Sequence, residues 1–379
     1  MAYFYMVRIW GDVPLLVSSH DGEFVQRPRT DKNVVLQFVT NELLAAAQVV
    51  PFAYGGIDPI FPGVYYGQNA AFWNGALFNR LSVYAILAHV AAWQGNYLDA
   101  NNYAKFVLDN RATYNLVKGS GQEIQFANID ALTENQSFFS PFAYKRPTNI
   151  VGFNFDAGSG LATADGHIEQ LTLAAPYIPR SRPEMFVPKD TVLKAFTDPG
   201  DLRFSVNPRT NAYRTNYFTN FYSEEPVFSK IKVVFPDQIR GNTVLFASSM
   251  VFTRLEELVL LRAEALAALG STDEAITLLN SLATNRGIAP YNPLVSGFGK
   301  LNVLKAIFAE RRRELMGEGW RWYDIVRYNR IVNSNGSFIS KNGQNLTFRE
   351  FETTGGIYWP VSKDVISANP AIKQNPYWQ

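Results

Sequence analysis

Two stretches of this sequence carry the side chains that sugar recognition needs. Tyr65, Tyr66 and Trp73 stand close to Gln68 and Asn69 in the first, and Phe139 and Tyr144 stand beside Arg146 in the second. Flat rings can lie against the C–H face of a pyranose, while planar amides and a guanidinium take its hydroxyls. Such sites are concave, with apolar walls and a few placed polar groups. The first stretch overlaps PFAYGGIDPIFPGVYYGQ (residues 51–68), whose Gly and Pro content predicts a loop. A few residues of coil cannot hide Tyr54, Phe61, Tyr65 and Tyr66 together. The competing use of these rings is packing back onto helices, the usual fate of large aromatics. Trp73 in particular is placed to pack the start of a helix over residues 74–92.

Catalytic chemistry finds less support. His20, His89 and His167 are scattered without HExxH spacing, and His89 lies among alanines on a helix face, which suits a core residue. Gly297-Phe298-Gly299-Lys300 lacks the first Gly and the following Ser or Thr of a phosphate loop. The run from Asp156 to Asp165 has no Glu at the last calcium-loop position, which excludes an EF-hand and leaves an irregular Ca²⁺ site open. A glycosidase needs two carboxylates at a defined separation across the sugar, and nothing singles out such a pair. The absence of Cys removes disulfides, thiolate metal sites and Cys nucleophiles. The expectation is a binding protein, not an enzyme, that takes no cofactor.

The charge balance is 35 basic against 33 acidic residues, giving +2, so no electrostatic case exists for nucleic acid. Aromatics are abundant, with 28 Phe, 19 Tyr and 7 Trp. Most must be core, although so many Tyr also suit a carbohydrate surface. No apolar run reaches the roughly eighteen residues of a membrane-spanning helix.

The elements that would position these side chains are helical. Residues 30–50 show a helical stripe, with Thr30 or Asp31 as cap and Pro51 as stop. ILAHVAAWQGNYLDANNYAKFVLDN (86–110) and LLRAEALAALGSTDEAITLLNSL (260–282) both resemble tetratricopeptide units: small residues, a Gly turn at Gly95 or Gly270, then a second helix. Such units need neighbours to bury their faces. Helix pairs over residues 3–50 and 301–328 supply them. The fold class expected is all-α in one domain, with tetratricopeptide-type pairs at 1–117 and 253–330 and a tail at 331–379. Between them, residues 118–252 read as a loop-rich insertion, with a short helix within 186–196 and strands near 231–235 and 243–247. Strands are expected only in short hairpins of the insertion and the tail.

ERRRELMGEGWRWYDIVRYN (310–329) is the densest charged stretch. Glu310 with Arg313, and Arg311 with Glu314, have the spacing to pair along a helix, and exposed pairs of that kind are weak. Arg254, Glu257 and Glu264 flank an apolar stripe that contains Arg262, and are expected to pair with residues 310–314 across a helix contact. Glu310, Arg311, Arg312, Glu314, Leu315, Gly319, Arg321, Trp322, Asp324 and Ile325 fill a pattern similar to the C-terminal hallmark of the SusD/RagB family, nutrient-binding lipoproteins of the bacterial outer membrane. Trp320 stands where that family often has His. The order of an EIQF-like strand (123–126), an Asp198-Pro199-x-Asp201-x-Arg203 element and a tail with Pro360, Asn369-Pro370, Gln374, Asn375 and Pro376 is also similar.

The resemblance implies that the 310–329 motif is structural and binds no ligand. It implies capture of an oligosaccharide, less often a peptide, for a SusC-like TonB-dependent transporter. MAYFYMVRIW resembles the family's first repeat helix rather than a signal peptide. The lipid anchor, its signal and earlier helices are therefore expected upstream of Met1, with a partner helix there covering Tyr3, Phe4 and Met6. The alternative is a tetratricopeptide scaffold that binds a peptide or protein segment, but such a scaffold does not need a long aromatic insertion.

Overall fold

The computed structural model describes residues 1–379 apart from 19–24, 55–63, 66, 70–72, 74, 119–123, 135–139, 144–148, 156–159, 238–242, 298 and 335, and for 65, 68, 69 and 337 it describes the backbone only. Helices α1 (Ala2–Trp10), α2 (Lys32–Val49), α3 (Arg80–Gln94) and α4 (Tyr97–Lys118) come first. Asp31 caps α2 by accepting from the Asn33 N–H at 2.8 Å. The helix predicted from residue 74 begins instead at Arg80, because Asn79 takes the Ser82 N–H at 3.0 Å and sets the start. After the insertion follow α8 (Leu255–Leu269), α9 (Thr272–Asn285), α11 (Lys300–Glu314) and α12 (Arg321–Ile331), with the short α10 (Pro293–Ser296) between α9 and α11.

The two repeat turns are built alike. Gly95 (φ 78°) and Gly270 (φ 94°) adopt the left-handed conformation that a side chain disfavours. Gly95 N donates to Ala92 O and Asn96 N to Ala91 O; Gly270 N donates to Ala267 O and Ser271 N to Leu266 O. These are the two bonds of a Schellman cap. α1 packs on α2, α2 on α3, α3 on α4, α4 on α8, α8 on α9 and α11, and α11 on α12. The helices approach closely because Ala85, Ala88, Ala100 and Ala104 and, on α8, Ala263, Ala265 and Ala267 are buried between them.

The strands are short: β1 (Val64–Tyr65), β2 (Gln68–Asn69), β3 (Asn149–Phe153), β4 (Phe218–Thr219), β5 (Val227–Phe228), β6 (Val234–Pro236), β7 (Val244–Phe246), β8 (Met250–Arg254), β9 (Ser337–Ile339) and β10 (Asn345–Thr347). They form antiparallel pairs, β1 with β2, β3 with β8, β4 with β5, β6 with β7 and β9 with β10. Three features depart from expectation. β1–β2 lies outside the insertion, and β3–β8 is no hairpin: it joins residues a hundred apart and closes the insertion at its base. Residues 124–126 form no strand.

Within the insertion lie α5 (Ile129–Thr133), α6 (Ile168–Thr172) and α7 (Lys189–Ala195). Its core is a cluster of rings. Phe196, Phe204, Tyr217, Phe218, Phe221 and Phe228 are buried and meet mostly edge to face, the geometry ring quadrupoles favour. In the tail, α13 (Phe348–Thr353) and α14 (Lys363–Ala368) lead to residues that return to α1. Trp359 N donates to Ile9 O at 2.7 Å, and Asn375 Nδ2 reaches Trp10 O. Arg29 donates to Trp10 O, Lys373 O and Asn375 Oδ1. Phe4 is buried against Phe252, and Tyr3 meets Phe38 edge to face.

In the 310–329 motif Glu310, Arg311, Glu314, Asp324 and Arg327 are buried, while Arg321 stays exposed. Glu314 accepts from Arg203 of the insertion (3.0 Å), Arg254 at the end of β8 (2.9 Å) and Arg286 after α9 (2.8 Å). Glu310 pairs with Arg203 and Arg313, and Glu318 with Arg254 and Lys230. Arg311 bonds Glu257 and Asp324, both near 3 Å, and lies 4.0 Å from Glu264, which bonds Arg327. The expected pairing of Arg254, Glu257 and Glu264 with 310–314 is present. Arg311 and Glu314 do not pair with each other, and Arg262 turns away to Asn101 and Glu274. Burial would raise the Glu314 carboxyl, but Arg286, Arg254 and Arg203 outweigh it and hold it well below its ordinary value. Gly317 lets the chain turn here: at φ +81° a Cβ would meet the Phe228 ring at 2.6 Å.

Arg311→Ala should therefore cost roughly 3 kcal/mol, because it takes the shared cation from two buried carboxylates and leaves Asp324 to Arg327 and Glu257 to His89 and Thr253. Thermal and urea unfolding monitored by circular dichroism read this directly. A melting temperature equal to the parent's would mean that these charges are solvated in solution.

Candidate functional site

Of the predicted ligand residues, Tyr66, Phe139, Tyr144 and Arg146 lie outside the described residues, and Tyr65, Gln68 and Asn69 are described by backbone alone. That backbone is a tight antiparallel turn in which Tyr65 pairs with Gln68 and Val64 with Asn69. Trp73 is half-buried, and its carbonyl accepts from Ala76 N (2.9 Å) and Leu77 N (3.0 Å), so it opens a turn rather than a helix. Tyr54 is not available for stacking. It is buried, its hydroxyl donates to Phe78 O at 2.7 Å, and its carbonyl accepts from Lys118 Nζ at 2.9 Å.

The framework under the two predicted stretches is continuous. Gly152 N of β3 donates to Gly75 O at 3.1 Å, two residues past Trp73. Ser82 Oγ on α3 donates to Ile150 O, and Asn149 Nδ2 donates to Pro141 O at 2.6 Å. Ser249 N donates to Phe142 O at 2.7 Å. The chain on either side of residues 144–148 is thus pinned to β3, and β3 is pinned to the turn after Trp73. Glycine makes this approach possible, since a Cβ on Gly75 would sit 3.2 Å from Gly152 N.

A second polar cluster was not apparent from the sequence. Ser248 Oγ donates to Glu169 Oε2 at 2.8 Å and lies 3.1 Å from His167 Nδ1, while Val233 N donates to the other Glu169 oxygen. The order of contacts is carboxylate, hydroxyl, imidazole. A nucleophilic triad needs the imidazole in the middle, so this cluster works as a bracket tying α6 to residues 233 and 248. Burial pushes Glu169 up to about 7 and lowers His167. His89 lies 2.8 Å from Glu257 and stacks on Trp320, the residue at the family's His position. His89 is therefore a core residue, as its alanine-lined face predicts. Among the described residues, no group of three or more His, Asp and Glu is arranged to hold a metal, and no helix is long and apolar enough to cross a membrane.

Comparison with known proteins places this arrangement. The model of the SusD family matches residues 209–378. A SusD superfamily protein of Bacteroides thetaiotaomicron is 42% identical with a TM-score of 0.81, the match covering 100% of this chain and 75% of that one. SusD-like protein P38 of Formosa agariphila is 23% identical over 402 residues, covering 99% of this chain and 72% of the relative. Surface glycan-binding protein A of Bacteroides uniformis shares the fold at 19% identity and a TM-score of 0.64, over 99% of this chain and 75% of that one.

Glu169 makes stability depend on pH. Its folded pKa of about 7 lies above the ordinary 4.5. Between those values the folded state keeps a proton that the unfolded state releases, so stability falls as pH rises through this window. Glu169→Gln keeps the shape and removes the ionisation. The variant should match the parent near pH 4.5 and exceed it near pH 8 by on the order of 3 kcal/mol, at about 1.4 kcal/mol per pKa unit. Urea unfolding at both pH values measures the difference; a gap independent of pH would show that Glu169 does not titrate there.

Proposed function

Because this chain belongs to the SusD family, we propose that it binds an oligosaccharide at the bacterial cell surface, without catalysis, and delivers it to a SusC-like TonB-dependent transporter in the outer membrane. Members of the family are nutrient-binding proteins, generally surface lipoproteins of that membrane. The fold shared with a surface glycan-binding protein of Bacteroides uniformis agrees with this reading. We take the chain as one domain in which helix pairs at 1–117 and 253–330 support the insertion at 118–252.

The observation that carries the placement of the ligand is the bond from Gly152 N to Gly75 O. It sets the two aromatic stretches on one backbone framework. In this reading Tyr65, Tyr66 and Trp73 stack on the sugar, backed by Phe139 and Tyr144, and Gln68, Asn69 and Arg146 take its hydroxyls. Tyr54, by contrast, serves the framework through its hydroxyl and its carbonyl.

A glycan array identifies the best ligand. Titration calorimetry of Tyr65→Ala, Tyr66→Ala and Trp73→Ala against it should then show about a tenfold or greater loss of affinity for at least one ring, or about 1.4 kcal/mol per tenfold. Three folded variants that bind as tightly as the parent would place the site elsewhere.

A further inference from the structure

A cavity of about 680 Å³ opens between α1, the insertion and the 317–323 turn, lined among others by Arg8, Phe142, Phe155, Phe252, Trp320 and Tyr323. Its size is that of a small-molecule or side-chain site. Arg8 is 2% exposed. Its guanidinium carbon lies 4.1 Å from the Tyr323 ring centroid, 4.3 Å from Phe4, 4.7 Å from Tyr5, 5.3 Å from Trp320 and 5.8 Å from Phe252.

This cation differs from the other buried arginines. Arg203, Arg254, Arg286, Arg311 and Arg327 each meet carboxylates. Among the described residues no carboxylate pairs with Arg8, and its Nε has no hydrogen-bond partner. Burial lowers the Arg8 pKa from its ordinary value; the Tyr323 and Tyr5 hydroxyls, Tyr5 also as a hydrogen-bonding neighbour, favour the cation and Arg327 opposes it, and none of the three is an anion at neutral pH. Two carboxylates line the same cavity and are engaged elsewhere, Glu318 by Arg254 and Lys230 and Asp165 by Gln170 Nε2. Ring faces attract a cation, but they do not satisfy the guanidinium's N–H donors, which match a carboxylate in bidentate geometry.

We propose that this cavity is a binding site for a carboxylate carried on an apolar body, with the carboxylate paired to Arg8 inside its cage of rings. The anion supplies the missing acceptors, and the apolar body covers Phe142, Phe155 and Ile231. A bare inorganic anion would leave those walls against water. The same chemistry has two sources, a free organic acid or an Asp or Glu on an apolar polypeptide segment packed over the opening. The site is separate from the sugar-binding residues proposed above and does not depend on them.

The first arm of the test is calorimetry with 1-naphthylacetate and its neutral amide on the whole chain. A free-acid site binds the acid at least tenfold more tightly than the amide, and Arg8→Met, folded by circular dichroism, abolishes that preference. The second arm is superposition on the Bacteroides thetaiotaomicron structure, a quarter of whose length has no counterpart here. A polypeptide source places a carboxylate from that quarter within ion-pair distance of the residue aligned with Arg8. A preference that survives Arg8→Met overturns the role of Arg8. Equal binding of acid and amide, or binding of neither, together with no such carboxylate in the superposition, overturns the proposal.

Discussion

Glu314 is the point on which the structure turns. One carboxylate, fully buried, accepts from arginines that reach it from three separate parts of the chain. Arg203 belongs to the insertion, Arg254 ends the strand that closes the insertion, and Arg286 follows the second repeat. Around it, Glu256, Glu310, Glu318 and Asp201 face the same arginines together with Arg313 and Lys230, so positive and negative charges are matched within the cluster. Burying such charges is expensive, and apolar residues of equal volume often serve stability as well. What ions add is geometry: a guanidinium accepts few orientations of a carboxylate, so each arginine fixes where its segment must lie. Lys230 extends the clasp by donating to Glu314 O and Met316 O as well as to Glu318.

The helical half of this design was readable from sequence because its rules are local. A Gly after a run of small residues announces the left-handed cap, and Gly95 and Gly270 form the same one. Asp31 and Pro51 bound their helix as their chemistry dictates. The charged motif was readable as a motif, yet its burial was not. Charges at three-residue spacing look the same on a wet surface and in a core, and only the arrival of Arg203, Arg286 and Lys230 from distant segments makes the difference. Arg203 lay within a recognisable Asp-Pro-x-Asp-x-Arg element, whereas Arg286 and Lys230 had nothing nearby to mark them.

Rings posed the opposite difficulty. Composition announces an aromatic insertion without saying which faces look inward. Most of the described rings there satisfy one another: Phe204 touches Phe196, Phe218 and Phe221. Tyr54, in a Gly- and Pro-rich loop, is anchored through both its hydroxyl and its carbonyl. The candidate sugar site was legible as a composition of rings and amides off the helices, and its residues fall in segments without periodic pattern. A lone Arg8 among Tyr, Phe and Trp was the one signal for the second cavity, visible in AYFYMVRIW but meaningless until the surrounding carboxylates proved to be committed elsewhere.

The return of the tail to α1 has a consequence for how the molecule is made. Trp359 and Asn375 bond the last turn of a helix that leaves the ribosome some 350 residues before them, as the separation of 365 positions between Asn375 and Trp10 shows. Contacts so far apart in sequence form late, since the intervening loop must close before they contribute. α1 therefore waits for its final neighbours until the segment around Trp359 and Asn375 has been made. Until Lys373 and Asn375 emerge, the Arg29 guanidinium has Trp10 O and Asp12 O but lacks its acceptors on the tail, and Trp10 O lacks its second donor. Vectorial synthesis thus leaves α1 and the segment around Trp359 and Asn375 to mature together.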